Sequence, residues 1–170
     1  MRVRLSPREI SVCKQAATFR WQLARASGVV NQRRDQGRND NDLDLIGIKA
    51  ELSVAKVFDI DHNPFQLGVD SGEDMWLGDI SIDVKSTFYP DGRLLFKDIN
   101  AFKASCAVLV CQEDEDTYNV SGYCSRDRFK KDSRQMDLGH GMGSVMDQID
   151  LSPLEKLWSY STQRRLQKFN

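Results

Sequence analysis

Two aspartates and a lysine stand at a spacing that can do chemistry: Asp74-Met75-Trp76-Leu77-Gly78-Asp79-Ile80-Ser81-Ile82-Asp83-Val84-Lys85. Ile80, Ile82 and Val84 alternate with Ser81, Asp83 and Lys85, which is the period of a half-buried strand. Gly78-Asp79 suits a two-residue hairpin turn. A turn there pairs Leu77 with Ile80, Trp76 with Ser81, Met75 with Ile82 and Asp74 with Asp83. Like charges directly across a ladder are destabilising. A divalent cation is the simplest compensation, and Lys85 lies one step along the face that carries Asp83.

The element before this hairpin supplies a further acid. Residues 42–58 read as a helix, and at about 100° per residue Lys49, Ser53 and Lys56 share one face, expected to meet water. Glu51 lies roughly 160° from the centre of that face. Its helical neighbours are Gly47, Ile48, Val54 and Ala55, so it points inward, where glutamates are rare unless paired or ligating. Two readings stand: an ion pair with an arginine, or a carboxylate that completes the site of the hairpin aspartates.

Around these lie the remaining elements. A helix is expected over 7–27, capped by Ser6, and then a polar loop from Asn31 to Asn41. The hairpin is expected over 73–88, followed by a strand at 93–96 and a short helix at 98–104. The continuous apolar run 106–112 reads as a central buried strand, and 118–123 as the strand returning after a charged turn at 113–116. A helix capped by Ser125 follows. Residues 133–148, spotted with glycine and methionine, read as irregular, and Ser152 with Glu155 as the capping box of a last helix. The order suits an α/β or α+β domain spanning 1–170, with its core at about 42–132, an N-terminal helix at 7–27 and a C-terminal extension at 133–170.

The acid-bearing helix, the hairpin aspartate and the final Asp-x-Lys resemble the PD-(D/E)xK nuclease superfamily over about Asp42 to Phe129. Small phage-encoded members are resembled most, through Gly47-Ile48-Lys49-Ala50-Glu51-Leu52-Ser53-Val54-Ala55, Ile82-Asp83-Val84-Lys85-Ser86-Thr87 and Ser121-Gly122-Tyr123-Cys124-Ser125. The resemblance implies a restriction-endonuclease-like α/β core: a central mixed sheet of four or five strands flanked by helices, with helical additions at both ends. It implies a cytoplasmic, Mg²⁺-dependent deoxyribonuclease, with Mn²⁺ as a substitute, acting in phage or bacterial DNA processing. The alternative is a nuclease-fold module that binds DNA or protein without turnover. Carried over by position, Glu51, Asp74, Asp83 and Lys85 are catalytic. Glu51, Asp74 and Asp83, with the Val84 carbonyl, are the metal ligands, and Lys85 positions the nucleophile or stabilises charge on the phosphate.

Glu73 stands where the name-giving proline would be. Asp70 is the second choice for the hairpin acid; Asp79 belongs to the turn, and Glu73 to the opposite strand face. For DNA, Arg33, Arg34 and Arg38 in the polar loop, and Arg126, Arg128 and Lys130 at a helix start, either grip phosphates or are solvated. Trp76 either walls the site or packs on the helix that carries Glu51. His62 and His140 have no evident partners.

Composition sets the bounds. A net charge of −1 argues against a strongly basic nucleic-acid coat. No apolar run approaches the roughly 20 residues a bilayer needs, and the first residues lack the apolar core of a secretory signal, so a cytosolic protein is expected. Cys13, Cys106, Cys111 and Cys124 form no zinc-like spacing and read as buried free thiols. Two cuts across a duplex would call for a homodimer.

Overall fold

The computed structural model describes residues 1–26, 40–66, 72–139 and 141–167. Arg33, Arg34, Arg38, Asp70 and His140 lie outside the described residues.

Strand β1 (Arg2–Arg4) leads into helices α1 (Pro7–Ala26) and α2 (Asp40–Phe58). The hairpin of β2 (Met75–Leu77) and β3 (Ile80–Thr87) follows, then β4 (Leu94–Phe96), β5 (Cys106–Gln112) and β6 (Thr117–Ser125). Helix α3 (Arg126–Asp132), strands β7 (Arg134–Asp137) and β8 (Met142–Met146), and helix α4 (Leu154–Gln167) complete the chain. The fold is α/β. Its main sheet has the order β1-β6-β5-β3-β2, and a smaller sheet has the order β4-β8-β7. In the main sheet β3 runs parallel to β5 and the other neighbours are antiparallel, so the sheet is mixed.

Local chemistry explains most boundaries. At the start of α1 the Ser6 N–H donates to Glu9 Oε2 (2.6 Å) and the Glu9 N–H to Ser6 Oγ (3.3 Å), a reciprocal cap. Ser125 opens α3 by accepting from the Arg128 N–H. The expected short helix at 98–104 is a 3-10 turn, Ile99–Ala101, capped by Asp98. Ser152 is used differently from the expected cap. Its backbone bridges Tyr123 in both directions (2.8 and 3.0 Å), and its hydroxyl accepts from Arg128 Nη1 (2.9 Å). Gly122 permits that approach, because a Cβ there would stand 2.8 Å from Leu151 Cβ.

The centre of the main sheet is buried on both faces. Ile46, Ala50, Val54 and Phe58 of α2 pack with Ile80, Ile82, Val108 and Val110 on one side. On the other, Phe96, Phe102, Phe129 and Met146 pack with Ala107, Leu109 and Cys111. The apolar run of β5 is therefore central, as its composition implied. Helix α1 covers the far side of α2 through Cys13, Ala16, Ala17 and Ile48.

Three expectations are corrected. Strand β3 is buried on both faces as far as Asp83, because the small sheet covers the side that was expected to be wet. Lys49 and Ser53 are buried: the 113–116 turn reaches over their face, and Lys49 Nζ donates to the Glu115 carbonyl (3.0 Å). Residues 133–148 hold β7 and β8 in place of irregular chain. All four cysteines are buried and free. Among the described residues no helix is long and apolar enough to cross a membrane.

Candidate active site

The hairpin forms in the register its sequence implies: Leu77 opposite Ile80, Trp76 opposite Ser81 and Met75 opposite Ile82. Gly78 takes φ +67° in the turn, a conformation that side chains with a Cβ disfavour. Asp74 departs from the expected ladder. Its N–H donates to the Ile82 carbonyl (2.8 Å) instead of continuing opposite Asp83. Its carboxylate turns back onto β3, and Oδ2 accepts from the Val84 N–H (2.6 Å). The N–H of Val84, whose carbonyl was expected as a metal ligand, thus engages an acidic side chain.

Asp83 sits at the middle of β3 with its side chain 4% exposed, and its Oδ1 is 2.7 Å from Lys85 Nζ. The two lie two residues apart on one strand face, so pairing needs no backbone distortion. Lys85 Nζ also lies 4.9 Å from the centre of the Phe96 ring, which places the ammonium between the carboxylate and an aromatic face.

Glu51 points inward as its helical phase implies, with its side chain 14% exposed. Arg20, which the sequence did not single out, and His62, which showed no evident partner there, both lie beside it. Arg20 Nη2 from α1 is 3.4 Å from Glu51 Oε2 and donates to the Pro64 carbonyl at 3.1 Å. His62 Nε2, beyond the end of α2, is also 3.4 Å from Oε2. The arginine ion pair is thus present. Nothing periodic links Arg20, Glu51 and His62; the packing of α1 on α2 and the path of the chain beyond α2 bring them together.

Electrostatics bind the acids into one group. Asp74 is pushed up to about 6, first by desolvation of its carboxylate against the strand and further by the negative charges of Glu51 and Asp83. The Val84 N–H and the Lys85 charge oppose that rise without cancelling it. Burial alone would raise Glu51, but His62 and Arg20 outweigh it and hold this carboxyl below the usual range. Among the described residues no three His, Cys, Asp or Glu side chains converge closely enough to enclose a metal ion by themselves.

The raised Asp74 has a consequence for stability. Its carboxyl titrates at about 6 in the folded chain against 3.8 for an unperturbed aspartate, so the folded state binds more protons between those values. Metal-free stability therefore falls as pH rises through that window. In metal-free buffer Asp74→Asn gains in Tm relative to the wild type between pH 4 and pH 7, and millimolar Mg²⁺ narrows the gap at pH 7. Parallel Tm–pH curves for the two proteins would overturn this.

The remaining candidates divide. Arg126 Nη1 donates to the Lys103 carbonyl (2.8 Å), and Arg128 holds Ser152 Oγ and lies 3.6 Å from Asp132. These two guanidiniums tie α3 to neighbouring segments, whereas Lys130 is exposed. Trp76 is not buried beside the acids. It is 54% exposed on the edge strand β2 and borders a groove with Phe58 and Trp158. Comparison with family models, curated proteins and solved structures returns no match.

Proposed function

We propose that this protein is a metal-dependent deoxyribonuclease that hydrolyses phosphodiester bonds at Asp74, Asp83 and Lys85, with Glu51 at the edge of the site. The observation that carries the reading is the Asp83–Lys85 pair at 2.7 Å on the strand whose Val84 N–H holds the Asp74 carboxylate at 2.6 Å. Carboxylate oxygens of this kind suit a hard divalent cation. Mg²⁺ typically takes one or two carboxylates and leaves its other positions to water and substrate phosphate.

Asp74 and Asp83 would hold the ion, with Mn²⁺ as a substitute. Such an ion supplies Lewis-acid polarisation of water and of the phosphate. The chain's own groups do the rest. Asp83 fixes the Lys85 ammonium by their short ion pair, and Lys85 offers a positive charge to the phosphate as negative charge builds on it. Phage or bacterial DNA processing is the setting that the resemblance suggests.

The pairing of Glu51 with Arg20 favours a second reading, a nuclease-fold module that binds DNA or protein without turnover. One experiment separates the two. Linear, nicked, branched and single-stranded DNA are incubated with the protein in Mg²⁺, in Mn²⁺ and in chelator. Cleavage of any of them that depends on metal supports the nuclease. Tight binding with no cleavage of any substrate supports the module.

A further inference from the structure

Among the described residues, a buried cluster beyond the hairpin acids has unmet bonding capacity. The His62 side chain is 8% exposed. Its Nε2 is buried and has no hydrogen-bond partner, and the same holds for Arg20 Nε. Buried polar atoms without partners are uncommon and call for an explanation.

We propose that His62 and Glu51 together form a second metal position, one that takes a borderline divalent cation such as Zn²⁺, Co²⁺ or Mn²⁺ in preference to Mg²⁺. Arg20 is the resident positive charge that such a cation displaces. The proposal is separable from the nuclease reading, because it concerns binding and needs no turnover.

The geometry carries it in three steps. His62 Nε2 and Glu51 Oε2 are 3.4 Å apart and out of hydrogen-bond alignment. Two ligand atoms that share a tetrahedral ion at about 2.1 Å stand roughly 3.4 Å from each other. Arg20 Nη2 is also 3.4 Å from that carboxylate oxygen, looser than the roughly 2.7–2.9 Å of a well-formed charge-assisted bond. Its second acceptor, the Pro64 carbonyl at 3.1 Å, remains available when the guanidinium gives up Glu51.

Donor type sets the metal class. One imidazole nitrogen with one carboxylate suits borderline transition ions, whereas Mg²⁺ prefers oxygen alone. Water completes the coordination.

The competing reading is a structural ion pair, and the two make opposite predictions for Arg20. If Arg20 only neutralises Glu51, removing it disorders the carboxylate and weakens or does not alter metal binding. If Arg20 competes with a cation, removing it strengthens binding.

The chain has two histidines, so imidazole ¹⁵N resonances give a simple readout with His140 as an internal control. Zn²⁺ is titrated into the protein and into Asp83→Asn, and Mg²⁺ into a parallel sample. The His62 Nε2 signal should move to the metal-ligated range with Zn²⁺ in both proteins, and stay put with Mg²⁺. Arg20→Met and Arg20→Gln should bind Zn²⁺ about tenfold more tightly, and Glu51→Gln about tenfold more weakly. Arg20→Gln keeps a donor for the Pro64 carbonyl, so it answers for any loss of fold in Arg20→Met. A His62 signal unmoved by excess Zn²⁺ overturns the proposal. So does unchanged or weaker affinity in both Arg20 variants. A nuclease assay that fails while His62 still binds Zn²⁺ removes the nuclease reading alone.

Discussion

If the proposed nuclease reading holds, Asp83→Asn should lower Mg²⁺-dependent DNA cleavage by about 10³-fold while leaving the protein folded. Two losses combine at this one position. The first is a carboxylate that would hold the cation, whose polarisation of a phosphate is worth several kcal/mol, at about 1.4 kcal/mol per decade of rate. The second is the 2.7 Å anchor that holds Lys85 on the same strand face. Asparagine preserves shape and can accept one hydrogen bond, but it carries no charge for either role. The fold tolerates the change, because Lys85 is 37% exposed and can return its ammonium to water; the cost is about 1 kcal/mol. The measurements are cleavage rate against Mg²⁺ concentration, with Tm alongside. Unchanged cleavage in Asp83→Asn would remove Asp83 from the mechanism. In a binding module without turnover the same substitution leaves DNA affinity equal or higher, since it deletes a negative charge from the face that meets phosphate.

What could be read from the chain was local, and what could not was set by packing partners. The β2–β3 register was legible because a two-residue turn and a period of two determine it within a dozen residues. The inward direction of Glu51 was legible because helical phase is local as well. Phase shows how a helix's faces differ, not how many of them are covered. Helix α2 lies between α1 and the sheet, and the 113–116 turn closes over a third side, so Lys49 is buried on a face that looked polar. The partners of Glu51 escaped for the same reason: Arg20 and His62 reach it only through the packing of α1 and the chain beyond α2. Strand β7 carries charge and β8 glycine; β8 pairs with β4 on one side and β7 on the other, and that pairing supplies the order that their composition does not. Asp74 left its expected pairing by a single hydrogen bond, at the point where the ladder ends.

Arg20→Met in metal-free protein lowers the stability of the fold by about 2 kcal/mol. Breaking a fully buried ion pair costs more than that, because it strands a charge away from water. Here the 3.4 Å separation and the partial exposure of Arg20 reduce the loss. Glu51 would keep only His62 beside it. A double-mutant cycle isolates the pair: Arg20→Met in a Glu51→Gln background should cost little, leaving a coupling of about 1–2 kcal/mol. The pH dependence follows from the lowered Glu51 carboxyl. A depressed acid adds stability above its unfolded value, near 4.5, and loses it as pH falls through the folded value. The gap between wild type and Arg20→Met should therefore be full at pH 7 and close on acidification below 4.5, as pH falls through the lowered Glu51 value. Zn²⁺ then separates a structural pair from a ligand pair. Binding to the folded state alone stabilises by mass action, by about 2.7 kcal/mol at a hundred times Kd. If Glu51 and His62 hold the ion, Zn²⁺ restores more stability to Arg20→Met than it adds to the wild type, because the metal takes over the role of the missing guanidinium. Equal gains in both proteins would mean that the ion binds elsewhere and that Arg20 serves Glu51 only as a structural partner.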